Sequence, residues 1–326
     1  MGIFTKSIGV DCGTSFIRIC RNEKDEVFSE PAVAAIDGNS GKVVSVGKSA
    51  DEMLGRTPDN LMAVRPIKGG VVADYDVACE ILKRCITLAV GKKRVKHLVT
   101  VAVPGCITDV ETRALRSVFL ASGAKNVQII NTALAAAIGA GADVNSSAGN
   151  MIIDIGAGTA EIAVICMGEI VCGKSLRIAG DNFDIDIKKY IKNHYGLNIG
   201  EKVAEEVKRA VGSVCDEKSL KEYTVRGREA ASGLPGSAVV NSAEVGCAIS
   251  KSVQNILEAV RAVFEQTPYE LISDISENGI ILTGGSSGLK GLCELISSET
   301  GIKARIADNC VTAVVRGCAS AFSEFS

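Results

Sequence analysis

The sequence predicts an α/β chain of two related halves, each a mixed sheet with helices, with a site where the halves face each other. Three observations predict it. First, the chain echoes itself: "SIGVDCGTSFIRIC" near the start and "NMIIDIGAGTAEIAVI" near the middle both read as strand, Gly-rich turn, strand. Second, β-branched runs alternate with helical patterns, which calls for a largely parallel sheet covered on both faces. Third, another apolar run ends in a Gly-rich turn, "LTGGSSG" at 282–288.

The elements follow in order. The first strand ends on Asp11 and the mid-chain strand on Asp154. Thr108 with Glu111 three residues on is a capping box that opens a helix stopped by Gly123. "NTALAAAIGAGA" is an Ala-rich buried helix. Phe183, Ile187 and Ile191 share one face of a helix that ends at Gly196. "GEKVAEEVKRAVGS" is a short amphipathic helix closed by Gly212. The longest helix is opened by Asn241 and Glu244 and closes before Pro268. Strands are expected at "HLVTVAVPG", "VQIIN" and "NGIILTGG". Residues 22–66 are charged and strand-poor and residues 213–240 are polar. Both read as insertions on the outer edges of the two halves.

Composition sets limits. Apolar residues make up 47% of the 326 and charged residues 23%, the balance of a globular chain with a filled core. Trp is absent and aromatics are 4%, so Val, Ile, Leu and Ala must build the interior. A net charge of −2 provides no basic field for nucleic acid. Two His are too few for a His-rich metal site, and the twelve Cys form no CxxC pair. Reduced cytoplasmic thiols are the expectation. No signal peptide and no apolar run of about 18 residues is evident.

The Gly-rich turns carry the chemistry. Without side chains, backbone N–H groups can approach phosphate oxygens closely. One turn offers Gly13, Thr14 and Ser15, the other Gly156, Ala157, Gly158 and Thr159. Asp11 and Asp154 put a carboxylate at each strand's C-terminal end, where ligands sit in open α/β sheets. Two carboxylates flanking a polyphosphate suit Mg²⁺ held through water. The third turn is expected to open a helix whose N-terminus faces the ligand. Neither GxxxxGK[ST] nor a helix-leading GxGxxG is present.

At these residues the sequence resembles the superfamily of actin, heat-shock chaperone ATPases and sugar kinases. It is similar to one branch in particular, the bacterial actin homologues of the MreB family. "SVGKSADEMLGRTPDN", "AVRPIKGGVVADYDV", "AGDNFD", "AEEVK", "VRGREAASGLP" and "TPYELISDISENGIILTGGSSGLKGL" carry the likeness along nearly the whole chain. The resemblance implies an actin-like, ribonuclease H-like fold with four subdomains around a nucleotide cleft. The first lobe would span 1–145, with an edge subdomain at about 33–66 and a C-terminal helix at about 310–326 returning to it. The second would span 146–309, with an edge subdomain at about 182–245. It further implies ATP and Mg²⁺ binding and assembly into antiparallel double protofilaments. These would lie in the cytoplasm at the inner face of the membrane and guide the cell-wall elongation machinery. An actin-like adaptor of cell division or pilus assembly, or a small-molecule kinase, is the alternative.

Carried over by motif, Gly13, Thr14, Ser15, Phe16, Gly156, Ala157, Gly158 and Thr159 would meet the phosphates. Gly180, Asp181, Glu205, Glu206, Val207 and Lys208 would lie on one side of the nucleoside, and Gly284, Gly285, Ser286 and Ser287 on the other. Asp11 and Asp154 would organise Mg²⁺ through water. The chain departs from the family where a Glu-Glu-Pro-Met run, with a Glu tied to hydrolysis, becomes Asn131-Thr132-Ala133-Leu134. Asn can orient water but cannot take a proton. Slow turnover is expected, carried by Asn131, Thr159 or Glu161. Phe16 replaces a polar residue of the first loop, and Ala157 a Gly of the second. The loop "GKKRVKH" lacks the apolar pair with which many members touch the membrane. Its basic residues would bind anionic lipid weakly.

Overall fold

The computed structural model describes residues 6–21, 26–58, 60–91, 97–215 and 220–324. Residues 92–96 of the basic loop lie outside them. Two five-stranded sheets form the centre. The first runs Asn126–Asn131, His97–Val103, Lys6–Cys12, Phe16–Cys20, Phe28–Pro31. Its first three strands are parallel and the rest antiparallel. The second runs Glu169–Leu176, Ala160–Cys166, Asn150–Ile155, Ile280–Thr283, Ala304–Ile306. It too has an antiparallel return on one side and parallel neighbours on the other. The sequence echo is therefore a structural one. Asp11 pairs across its hairpin with Arg18, and Asp154 across its own with Glu161.

The two edge segments correct the sequence reading. Residues 22–66, expected to be strand-poor, hold an antiparallel sheet of Val43–Val46, Ala34–Asp37 and Leu61–Val64. Residues 213–240 hold the hairpin Glu222–Glu229 and Pro235–Asn241, joined by Leu197–Asn198. The edge strands of the first segment are only four residues long, too short to show clear alternation. The hairpin of the second turns only Tyr223, Val225, Ala238 and Val240 towards the core, and Gly227 and Gly236 interrupt that apolar alternation in the sequence.

The helix signals read from sequence hold. Thr108 and Glu111 form both bonds of a capping box, as do Asn241 and Glu244. Phe183, Ile187 and Ile191 are buried on one face of Gly180–Tyr195. Among the described residues, no helix is long and apolar enough to cross a membrane.

Helix Thr132–Gly139 and the C-terminal helix Ala313–Glu324 lie between the two sheets. Their core takes Ala102 and Ile130 from the first half and Ile152, Ala163, Ile165 and Ile281 from the second. The helices cross with backbones in contact. A Cβ on Gly139 would overlap the carbonyl of Ala313, and one on Gly317 the carbonyl of Ala135. Gly9 lets the same C-terminal helix rest on the first sheet, where a Cβ would meet the backbone of Cys318 and Ala319. Backbone cannot yield as a flexible side chain can, so one methyl must part the helices.

Gly317→Ala is expected to lower stability by about 2–3 kcal/mol in urea denaturation. Gly200→Ala, where a Cβ meets open space, is expected to stay within about 0.5 kcal/mol. Equal stability of the two variants would contradict the backbone crossing.

Candidate functional site

A cleft of about 1680 Å³ opens where the two sheets face each other. Asp11, Gly13, Thr14, Ser15 and Phe16 line it from the first half. Asp154, Gly156, Ala157, Gly158 and Thr159 line it from the second, with Gly180, Asp181, Glu205, Lys208, Gly284, Gly285 and Ser286. The structure thus brings together most of the residues singled out from sequence.

Five others do not line the cleft. Val207 is fully buried in the second half's core. The hydroxyl of Ser287 is spent on the carbonyl of Gly284 at 2.6 Å. Glu206 accepts from the Tyr223 hydroxyl at 3.3 Å. The side chain of Asn131 caps its helix, its oxygen accepting from the Ala133 N–H at 2.8 Å. Glu161 is buried behind the wall, accepting from the Ser175 hydroxyl and, at 3.0 Å, from the Gly105 N–H.

The two Asp-led loops touch. The Thr14 hydroxyl accepts from the Gly69 N–H at 2.8 Å. A Cβ on Gly158 would strike that same hydroxyl. On the second half, the Ser286 hydroxyl donates to the Gly156 carbonyl at 2.7 Å, and the Asp181 N–H to the Ala157 carbonyl at 2.8 Å. A Cβ on Gly180 would collide with Ser286. Gly284 must be Gly twice over: its φ is +83°, and a Cβ would overlap the Ile155 carbonyl. The turn after it is a short 3₁₀ segment, Gly285–Gly288, and the α-helix starts only at Leu292. This corrects the expected strand–turn–helix. Gly284 leads straight into the 3₁₀ segment, and Gly291 is the residue that opens the α-helix.

Charge in the cleft is balanced locally. Burial raises the Asp11 carboxyl above its ordinary range, against the pull of Arg18 at 3.2 Å. Burial pushes Asp154 up to about 6, although the Thr283 hydroxyl donates to it at 2.7 Å. Asp184 is likewise raised to about 6 by burial and opposed by Lys208 at 2.9 Å. Glu161 rises to about 7, mainly through burial.

Several cleft residues escaped sequence reasoning. Arg18 lies seven residues after Asp11, its guanidinium over the Phe16 ring at 5.2 Å. The strand period alone would have placed it on the face opposite its buried neighbours Ile17 and Ile19. Arg65 reaches Ser15 at 3.1 Å, and its Nε is buried with no hydrogen-bond partner. Thr132, not Asn131, faces the cleft. Asn131 is held away from it by its capping bond to the Ala133 N–H.

Raised carboxyl pKa values have a sign. The folded chain holds protons that the unfolded chain has released, so stability falls as pH rises from about 4.5 towards 7. Glu161→Gln keeps an acceptor for the Gly105 N–H and removes the titration. It is expected to flatten the pH 5–8 dependence of urea stability and to gain on the order of 2 kcal/mol at pH 8. An unaltered slope would contradict the assignment.

The family profile described as MreB/Mbl protein matches residues 5–326. The chain is 43% identical over 320 residues to the cell shape-determining protein Mbl of Bacillus subtilis, covering 97% of this chain and 95% of that protein. It is 41% identical over 322 residues to the cell shape-determining protein MreB of Escherichia coli K12, covering 97% and 93%. Its fold is similar to MreB5 of Spiroplasma citri bound to AMPPNP, with a TM-score of 0.92, 31% identity and coverage of 99% and 97%. The same protein bound to ADP matches with a TM-score of 0.92 and 32% identity, covering 99% of this chain and 98% of that one. The MamK double helical filament, at 20% identity and a TM-score of 0.82, shares the fold. With the profile matched along its length and curated relatives above 40% identity, this chain belongs to the MreB/Mbl family of bacterial actin homologues.

Proposed function

We propose that this chain is an actin-like cytoskeletal protein that binds ATP in its cleft and polymerises to direct cell shape. One observation carries the reading: the Thr14 and Gly158 loops, one from each half, meet on the cleft floor. Glycine backbones there leave room for phosphates, and Arg18, Arg65 and Lys208 line the same space. The buried, unpartnered Nε of Arg65 is a donor in want of an anion. The similar MreB5 of Spiroplasma citri, bound to AMPPNP and to ADP, supports the same ligand class.

The residues present fit Mg²⁺. Asp11 and Asp154 provide two carboxylates that both line the cleft. That suits an ion that keeps most of its waters. When bound, it would neutralise phosphate charge. Residues 1–145 and 146–309 would act as two lobes around the nucleotide. Glu205 and Lys208 would flank the nucleoside on one side and Gly284–Ser286 on the other. Filaments would be antiparallel double protofilaments in the cytoplasm beneath the membrane, working with the cell-wall elongation machinery.

Hydrolysis should be feeble. Thr132 faces the cleft at the family's Glu-Glu run, and a hydroxyl cannot take a proton at neutral pH. Glu161 is walled off by Ser175 and Gly105, and Asn131 is spent on its cap. The chain should still bind and assemble.

Two measurements test this. Purified protein is expected to pellet on adding ATP with Mg²⁺ and to release phosphate slowly. Failure to bind or pellet would sink the function, and turnover equal to that of an ordinary family member would sink the argument for slow hydrolysis. Thr132→Glu is expected to raise phosphate release roughly tenfold or more by restoring a base.

A further inference from the structure

A single lysine bridges the mouth of the cleft. Lys202 stands in the first turn of Glu201–Val211 in the second half. Its Nζ donates to Oδ2 of Asp51 at 2.8 Å and also to the Asp51 carbonyl. Asp51 ends the short helix Lys48–Asp51 on the first half's edge sheet. Lys202 lines the cleft, and so do Leu54 and Arg56 just beyond Asp51.

The two anchors differ in rigidity. The helix of Lys202 sinks Ala204, Val207 and Val211 into the large core of the second half. The helix of Asp51 packs on a small core built on Val33, Ala35 and Ala50, and the other face of its sheet meets Val77 in a second small cluster. A small body with a thin core is the part free to swing. Two bonds from Lys202 to Asp51 tie it to the second half. A second ion pair between the halves among the described residues, Arg177 to Glu111 at 3.2 Å, sits on a helix packed into the first half's larger core.

We propose that Lys202 and Asp51 form a latch across the cleft mouth that slows the escape of the bound nucleotide. The inference rests on the nucleotide reading above. The latch must be modest, because both side chains are about a third exposed. Pairs of that kind are worth a few tenths to one kcal/mol, about two- to fivefold in a rate. Salt should weaken it.

The test is stopped-flow release of a fluorescent ATP analogue from the full chain with Mg²⁺. Lys202→Ala, which removes both bonds, is expected to release about two- to fivefold faster than wild type at low salt. The advantage should shrink at high salt. Asp51→Asn, which keeps the carbonyl bond, should fall between. Equal release from wild type and Lys202→Ala overturns the latch. Amide hydrogen exchange of residues 48–64 without nucleotide gives a second, independent reading. Faster exchange in Lys202→Ala supports the latch and unchanged exchange overturns it. Should wild type bind no nucleotide, the nucleotide reading fails, and the exchange result alone decides whether the bridge holds the edge sheet.

Discussion

The architecture depends on backbone meeting backbone where helices Thr132–Gly139 and Ala313–Glu324 cross. Gly139 and Gly317 remove the side chains that would hold these helices apart, and Gly9 does the same against the first sheet. The close crossing lets one core serve both sheets. With the sheets held at that distance, the strand ends carrying Asp11 and Asp154 aim at one space. Close packing transmits the constraint, since interiors yield little. The Thr14 hydroxyl then meets Gly158 with no room for a methyl.

Within that space the two halves are alike in backbone and unlike in charge. Asp11 faces Arg18 across its hairpin, and at the matching place Asp154 faces Glu161. The first pair makes an ion bridge in the cleft. The second cannot, and Glu161 is turned away into Ser175 and Gly105. One repeat thereby gains a cation for an anionic ligand. The other gains a buried acid that links the halves through the Gly105 N–H. Burial without a full counter-charge is why Asp154 and Glu161 hold protons past their ordinary range.

Much of the site was legible because its signals are local. A β-branched run ending in Asp and Gly needs no distant partner to be read, and neither does a capping box such as Thr108–Glu111. The edge sheets were not legible. Strands of four residues such as Ala34–Asp37 acquire their identity from pairing, not from period. Nor was the inward residue at positions 131 and 132 legible. Asn131 is a good helix cap by chemistry, and the cap takes its side chain out of the cleft.

The sequence by itself determined the repeat, the three Gly turns, the helix caps and the family. Each rests on residues close together in the chain, where propensity and backbone freedom act directly. Only the tertiary structure decided that Thr14 touches Gly158, that Thr132 rather than Asn131 faces the cleft, and that Lys202 reaches Asp51 from 151 positions away. Those contacts depend on how two sheets are set by one glycine crossing, and no local pattern encodes that distance.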